Sequence, residues 1–335
     1  MDRLSKLIKL GDVQRVVPLH PNTLITDYKY SELKGVKATF INMPLRESAK
    51  PNTPPEGPAL LASILRQYGA DPHIIDLNGY RIRDEDSKRR KLVNGRHLTF
   101  KEAEDMIVQH IRNHGDQDMF AFSGKITTLR WQEQIATIIR KHQPDSFLVT
   151  GGGLATEIKS GLFNWIPELD AIGRSEGDDI ILLIAKDVKL IKEMGRSKAV
   201  KSNKISPYYV GEYEGKHRFI YEGNRPRNLD VIPYPAWDLL ESDPYGHNLL
   251  EDYIKVPVWG IAANNSSAAP FEMKRSLTTV SSRGCPYSCA FCYRGAQGEK
   301  NYGMRSLEHI AKQVLGYVHK YDLDFIGFPD DNFAV

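Results

Sequence analysis

From Lys37 onward short apolar runs alternate with amphipathic stretches, a pattern that predicts strands and helices in turn and hence a parallel α/β sheet. Residues 38–42, 73–77, 119–123, 146–150 and 170–172 read as strands. The first helix is expected over residues 57–68, where Leu60, Leu61, Ile64 and Leu65 form one buried stripe. Pro54 and Pro55 precede it, and Gly69 stands where a C-terminal cap glycine belongs. Two further helices, over 100–114 and 129–142, follow Thr- or Ser-containing turns. Residues 1–36 lack periodicity and read as an extension, and the charged stretch 78–99 reads as an exposed insertion.

Beyond residue 190 the pattern breaks. Residues 191–276 read as a mixed linker that includes the proline-rich phrase Asn228-Leu-Asp-Val-Ile-Pro-Tyr-Pro-Ala-Trp-Asp238 and a small-residue loop over 260–269. Leu277-Thr-Thr-Val-Ser-Ser282 is β-branched and reads as a new strand. Ser306 caps a helix with Leu307, Ile310, Val314 and Val318 at helical spacing, and residues 324–328 read as a second strand. The expected division is therefore an extension (1–36), an N-terminal Rossmann-like parallel sheet (37–190), a linker (191–276) and a strand–helix–strand unit (277–335). An eight-unit barrel needs about 250 residues. The 59 residues from Leu277 supply about two units, so a partial, truncated barrel belonging to a longer product is expected.

Composition adds only bounds. The 335 residues are 41 % hydrophobic and 26 % charged, ordinary for a globular protein with a sizeable core. A net charge of +3 gives no argument for a nucleic-acid or membrane partner. The amino terminus alternates charged and apolar residues unlike a secretory signal, and nowhere do about 18 apolar residues run together, so a cytoplasmic location is expected.

The candidate chemistry lies in two places. Cys285, Cys289 and Cys292 are all the cysteines in the chain and stand in a C-x3-C-x2-C array. So tight a set of thiols points to a metal or iron–sulfur ligand set. Zinc wants a fourth ligand, and the nearest downstream histidine, His309, falls in the helix; a disulfide would leave one thiol over. Three thiolates on a four-iron cubane would leave one iron open to another ligand. The second place is the carboxyl edge of the sheet, where the strands run into Ser123, into Gly151, Gly152 and Gly153, and into Arg174-Ser-Glu-Gly-Asp178, which includes Glu176 and Gly177. Open parallel sheets bind ligands at this edge, and three such loops suit a large ligand. The first strand is followed by Met43-Pro-Leu-Arg-Glu47, not by a dinucleotide fingerprint, which argues against NAD.

With Phe291 in the aromatic place, Cys285-x3-Cys289-x-Phe291-Cys292 resembles the radical S-adenosylmethionine superfamily signature. The resemblance implies a [4Fe-4S] cluster on the three cysteines whose open iron chelates S-adenosyl-L-methionine, a partial (β/α) barrel, and reductive cleavage to a 5'-deoxyadenosyl radical. Asp330 and Asp331, after the second strand, would take the place of residues that hold the amino group of that cosubstrate. The edge loops, with Pro55-Glu-Gly57, Gly69 and Asp76, resemble the cobalamin-binding domain found ahead of such barrels, over roughly residues 37–188. That resemblance implies cobalamin contacts at Ser123, Gly151, Gly152, Gly153, Glu176 and Gly177. Asp71-Pro-His73-Ile-Ile-Asp76 mimics a cobalt-ligating motif but falls on the second strand, so His73 is expected to be an ordinary strand residue and no histidine to coordinate cobalt. Together these imply a cobalamin-dependent radical enzyme with an external flavodoxin- or ferredoxin-type electron donor. Methyl transfer to an unactivated carbon is the leading reaction, and cyclisation or rearrangement is the alternative. A cobalamin-binding sensor with a structural cluster and a zinc-stabilised binding protein are the readings from other classes.

Overall fold

The computed structural model describes residues 31–45, 51, 53–83, 96, 98–202, 204–206, 208–223, 228–255, 273–285, 287, 302–331 and 333. Strands β1 (Lys37–Asn42), β2 (Asp71–Asp76), β3 (Met119–Ser123), β4 (Phe147–Gly151) and β5 (Ala171–Ser175) lie within two residues of their expected starts. Helices α1 (Glu56–Gln67), α2 (Phe100–His114), α3 (Leu129–His142), the short α4 (Gly152–Ile158) and α5 (Ile180–Met194) connect them.

Local chemistry explains the ends. Thr99 accepts from Glu102 N while Glu102 accepts from Thr99 N at 2.7 Å, a reciprocal capping box that starts α2. Gly69, at φ +88°, turns the chain out of α1 in a conformation that disfavours residues with a Cβ.

The sheet order is β2-β1-β3-β4-β5-β7-β6, parallel except for β6 (Tyr209–Tyr213), which pairs antiparallel with β7 (Lys216–Gly223). One face is covered by α1 and α5, packed on Phe40, Ala121 and Val149. The other face is covered by α2, α3 and α4, packed on Ile41, Phe120 and Leu148. Successive residues of a strand thus feed opposite cores, so its sequence is an unbroken apolar run.

Several expectations are corrected. Residues 191–276 hold more than a linker: α5 runs on to Met194, and β6 and β7 add two strands to the main sheet. The 78–99 stretch does not begin exposed: Asn78, Arg81 and Ile82 are buried, and Arg83 pairs with Asp252 at 2.7 Å; residues 84–95 and 97 lie outside the described residues. Of the extension, residues 1–30 lie outside the described residues, whereas Leu33 and Val36 are fully buried in the α1 face. The loop at 260–269 is also outside them.

The proline-rich phrase is a packed bridge. Ala236 N donates to Ala59 O at 2.9 Å, Trp237 is buried, and Asp230 accepts from Ser306 N at 2.9 Å. It thereby ties α1 to the last unit. In that unit β8 (Ser276–Thr278) and β11 (Phe325–Gly327) pair in parallel, with α6 (Leu307–Tyr321) between them. The strand expected over 277–282 is split, since β9 (Ser282–Arg283) turns to pair with β10 (Gly303–Met304). Helix α6 is rotated from the expected stripe: Gln313 and Tyr317 face inward, hydrogen-bonded to each other at 3.1 Å, while Leu307 is 81 % exposed.

Candidate functional site

The order β2-β1-β3-β4-β5 reverses its direction of progression between β1 and β3, and crevices for ligands form outside the carboxyl ends at such a reversal. A cavity of about 260 Å³ opens there, between the sheet and the pair α1 and α5. Its floor is apolar: Phe40, Ala121 and Val149 from the sheet, Leu60 and Leu61 from α1, and Ile181 and Ile184 from α5. Its mouth is polar, with Ser123, Ser175, Glu176, Asp178 and Arg283. Such a slot admits a flat apolar group from the edge and leaves polar donors around its entrance.

Five of the six edge residues singled out from sequence line this cavity: Ser123, Gly151, Gly152, Glu176 and Gly177. Gly153 does not; it lies exposed in the first turn of α4 with nothing within 4 Å of the place a Cβ would take. Close approach explains two of the glycines. Gly152 has φ +81° and a Cβ there would stand 2.5 Å from Ser123 Oγ, while a Cβ on Gly177 would press on Leu61 at 3.3 Å. The loops are sewn to one another through Leu154 N to Gly124 O at 3.1 Å and through Thr156. The Thr156 hydroxyl donates to Gly152 O at 3.0 Å and accepts from Ser175 N at 3.0 Å.

His73 is on the other face and at the wrong height. It sits three positions before the end of β2, roughly 10 Å from the carboxyl edge at the usual rise per residue. Its ring packs on those of His110 and His114 of α2, at centroid distances of 5.2 and 4.1 Å. It faces away from the slot, as expected for a strand residue, and none of the described residues lining the slot is a histidine.

Of the cysteines, Cys285 is described and partly exposed; Cys289, Cys292 and Phe291 lie outside the described residues. Cys285 follows β9 and Gly284, which has φ +78°. The backbone leading to it is held by Asp330, whose Oδ1 accepts from Ser281 N at 2.9 Å and Ser282 N at 3.2 Å and whose Oδ2 accepts from the Ser281 hydroxyl. Asp330 is therefore committed to this loop, and Asp331 is exposed beside it.

The two places meet. Arg283 donates to Asp178 through both terminal nitrogens, at 2.6 and 3.2 Å, and to Glu176 at 3.3 Å. Beneath them Glu56, in the first turn of α1, accepts from Val280 N at 3.4 Å. Withdrawal from water pushes the Glu56 carboxyl up to about 7, against the opposing pull of the Val280 N–H and of Arg305 and Arg283. Sequence reasoning missed Arg283 and the part played by Glu56. The available signal was a cation beside the first cysteine and an acidic pair after β5, with nothing local to say that they touch.

No protein-family profile matches the chain. It is 26 % identical over 284 residues to an uncharacterized methyltransferase of Pyrococcus horikoshii, covering 84 % of this chain and 50 % of that one. It is 22 % identical over 315 residues to the cytidylyl-2-hydroxyethylphosphonate methyltransferase of Streptomyces wedmorensis, covering 84 % and 51 %. It is also 25 % identical over 199 residues to the anaerobic magnesium-protoporphyrin IX monomethyl ester cyclase of Rubrivivax gelatinosus, covering 59 % and 31 %. The chain thus spans about half the length or less of the curated relatives it matches. In fold it is similar to the cobalamin-dependent S-adenosylmethionine radical enzyme OxsB with aqua-cobalamin bound, with a TM-score of 0.59 at 17 % identity over 90 % of this chain and 34 % of that one. In sequence the chain is thus similar to two methyltransferases and a cyclase, and in fold to a cobalamin-dependent S-adenosylmethionine radical enzyme.

Proposed function

We propose that this chain binds cobalamin on its sheet edge and a [4Fe-4S] cluster with S-adenosyl-L-methionine on its cysteine loop, as part of an enzyme that transfers a methyl group to an unactivated carbon. The observation that supports this reading is the contact of Arg283, two positions before Cys285, with Asp178 and Glu176 at the mouth of the slot. The two cofactor stations are neighbours.

With this volume and apolar lining, the slot between the sheet and α1 would hold a flat apolar arm of the cofactor and not its whole macrocycle. Ser123, Gly151, Gly152, Glu176 and Gly177 line the slot, and Gly152 and Gly177 let its loops close against Ser123 and Leu61. Cys285, Cys289 and Cys292 would hold the cluster, and Phe291 fills the aromatic place of the cysteine signature. Asp330 orders the loop backbone, and Asp331 remains for the ammonium of the cosubstrate. When bound, the cluster and S-adenosyl-L-methionine supply a hydrogen-abstracting radical and the cobalamin supplies the methyl group; the protein's part is to hold them in register.

Electrons come from an external flavodoxin- or ferredoxin-type donor, and a chain with three cysteines in all suits a reducing cytoplasm. Among the described residues no helix is long and apolar enough to cross a membrane. Cyclisation is the second reading, favoured by the likeness to the Rubrivivax cyclase.

Anaerobic purification followed by absorbance and metal analysis tests the assignment. About four irons with sulfide, plus one cobalt after incubation with hydroxocobalamin, are expected. Zinc in place of iron, or cobalamin passing through unbound, would overturn it.

A further inference from the structure

We propose that Arg283 is a positioning residue that couples the two cofactor sites, so that a loaded cysteine loop tightens cobalamin binding and bound cobalamin tightens the loop. This rests on the two-cofactor reading above and goes beyond it, because two adjacent sites need not influence one another.

Arg283 has its two ends in different parts of the fold. Its backbone belongs to the last unit: β9 pairs with β10 through Arg283 and Gly303, and Asp330 of the segment after β11 holds Ser281 and Ser282 just before it. Its guanidinium belongs to the main sheet, forked onto Asp178 and reaching Glu176. One side chain thus joins the segment entering Cys285 to the loop leaving β5, across 105 positions of sequence.

The pair is also withdrawn from water, the Arg283 and Asp178 side chains being 18 % and 3 % exposed. Ion pairs so placed recover little net stability, because desolvation offsets much of the attraction. What a two-pronged guanidinium–carboxylate contact does supply is a fixed distance and orientation between the segments that carry it. Lysine, a point charge, would not reproduce it.

The lever acts on the slot directly. Arg283, Glu176, Gly177 and Asp178 all line the cavity, so a ligand entering it touches the fork and the loop the fork holds. That loop has little freedom to give. Gly177 lies against Leu61 of α1, and a Cβ on Gly223 of β7 would stand 1.9 Å from Glu176 O. A shift of the cysteine loop that pulls on Arg283 must therefore change the mouth of the slot, and filling the slot must fix Arg283. Linkage makes the effect reciprocal and equal in both directions.

The test is a hydroxocobalamin titration of anaerobic protein, followed by absorbance, with the cluster reconstituted and with it stripped. In the wild type the reconstituted form should bind at least about 5-fold more tightly. In Arg283→Gln and Asp178→Asn the ratio should fall to within about 2-fold of unity, with iron content and thermal melting near wild type; Arg283→Lys should retain only part of it. Asp178→Asn preserves side-chain shape and serves if Arg283→Gln melts early. A wild-type ratio of one, or a ratio unchanged in both variants, overturns the coupling while leaving the cofactor assignment standing. A wild type that takes up no iron or no cobalamin overturns both.

Discussion

Tyr253 donates a hydrogen bond of 2.8 Å to Asp76 Oδ2 across 177 positions, fastening the short helix Leu249–Ile254 to the carboxyl end of β2. Asp76 is fully buried; its other oxygen accepts from Asn42 Nδ2 at 2.7 Å, Asn78 N at 3.0 Å and Gly79 N at 3.1 Å. Burial raises the Asp76 carboxyl above its ordinary range despite these donors. Tyr253→Phe keeps the ring and removes one donor to a buried acceptor, so a stability loss of about 1–3 kcal/mol is expected in denaturant unfolding. A loss under a few tenths would show that the contact contributes nothing.

Three glycine substitutions should rank in order. Gly153→Ala meets open space and should be neutral to within about 0.5 kcal/mol. Gly152→Ala combines φ +81° with a Cβ 2.5 Å from Ser123 Oγ, so it should cost about 1–2 kcal/mol and weaken cobalamin uptake. Gly223→Ala drives a Cβ to 1.9 Å from a backbone oxygen and should be the most damaging. Melting temperatures of the three variants decide the ranking.

Filling the slot should separate the two cofactors. Leu61→Trp places a bulky ring where Leu61 meets Gly177 at the cavity wall. Cobalamin affinity should fall at least about 10-fold, since each tenfold corresponds to about 1.4 kcal/mol of lost binding. Iron loading should be unaltered. Equal loss of both cofactors, or of neither, would contradict the placement.

Two desolvated groups, the half-buried Glu56 and the buried His110, set opposite pH dependences. Glu56 has its carboxyl raised from 4.5 to about 7, so the folded protein binds more protons than the unfolded chain between those values, and stability falls as pH rises through that window. Glu56→Gln should remove roughly 1–3 kcal/mol of that slope. His110 is held down at about 3, chiefly by burial and next by the neighbouring His73 and His114. There the unfolded chain binds more protons, so stability is lost as pH falls from 6.5 toward about 3. Urea midpoints at pH 5, 6 and 7.5 for the wild type and Glu56→Gln check the sign; a slope unchanged by the substitution would refute it.

Much of the fold was legible because a strand buried on both faces leaves an unbroken apolar signature, as Met119-Phe-Ala-Phe and Phe147-Leu-Val do. Strands β6 and β7 were not legible for the converse reason. Lys216, Arg218 and Glu222 make β7 look like a polar surface, yet Arg218 is buried with its guanidinium on the carbonyls of Leu169 and Pro167, and Glu222 pairs with Arg174 at 3.1 Å. Those partners lie about fifty positions away and are invisible in a local window. Leu307 failed similarly: helical spacing identifies a stripe, while the neighbours decide which stripe turns inward.

By itself the sequence determined strands β1 to β5, helices α1 to α3, the glycine-rich character of the edge loops and the spacing of three thiols, because these depend on residues within one or two turns of one another. Only the tertiary structure decided that the slot opens on the α1 and α5 face, that His73 lies on the opposite one, and that Arg283 meets Asp178. Such pairings depend on the order in which strands join the sheet. Strand order is set by the packing of the whole core and by no single stretch of it.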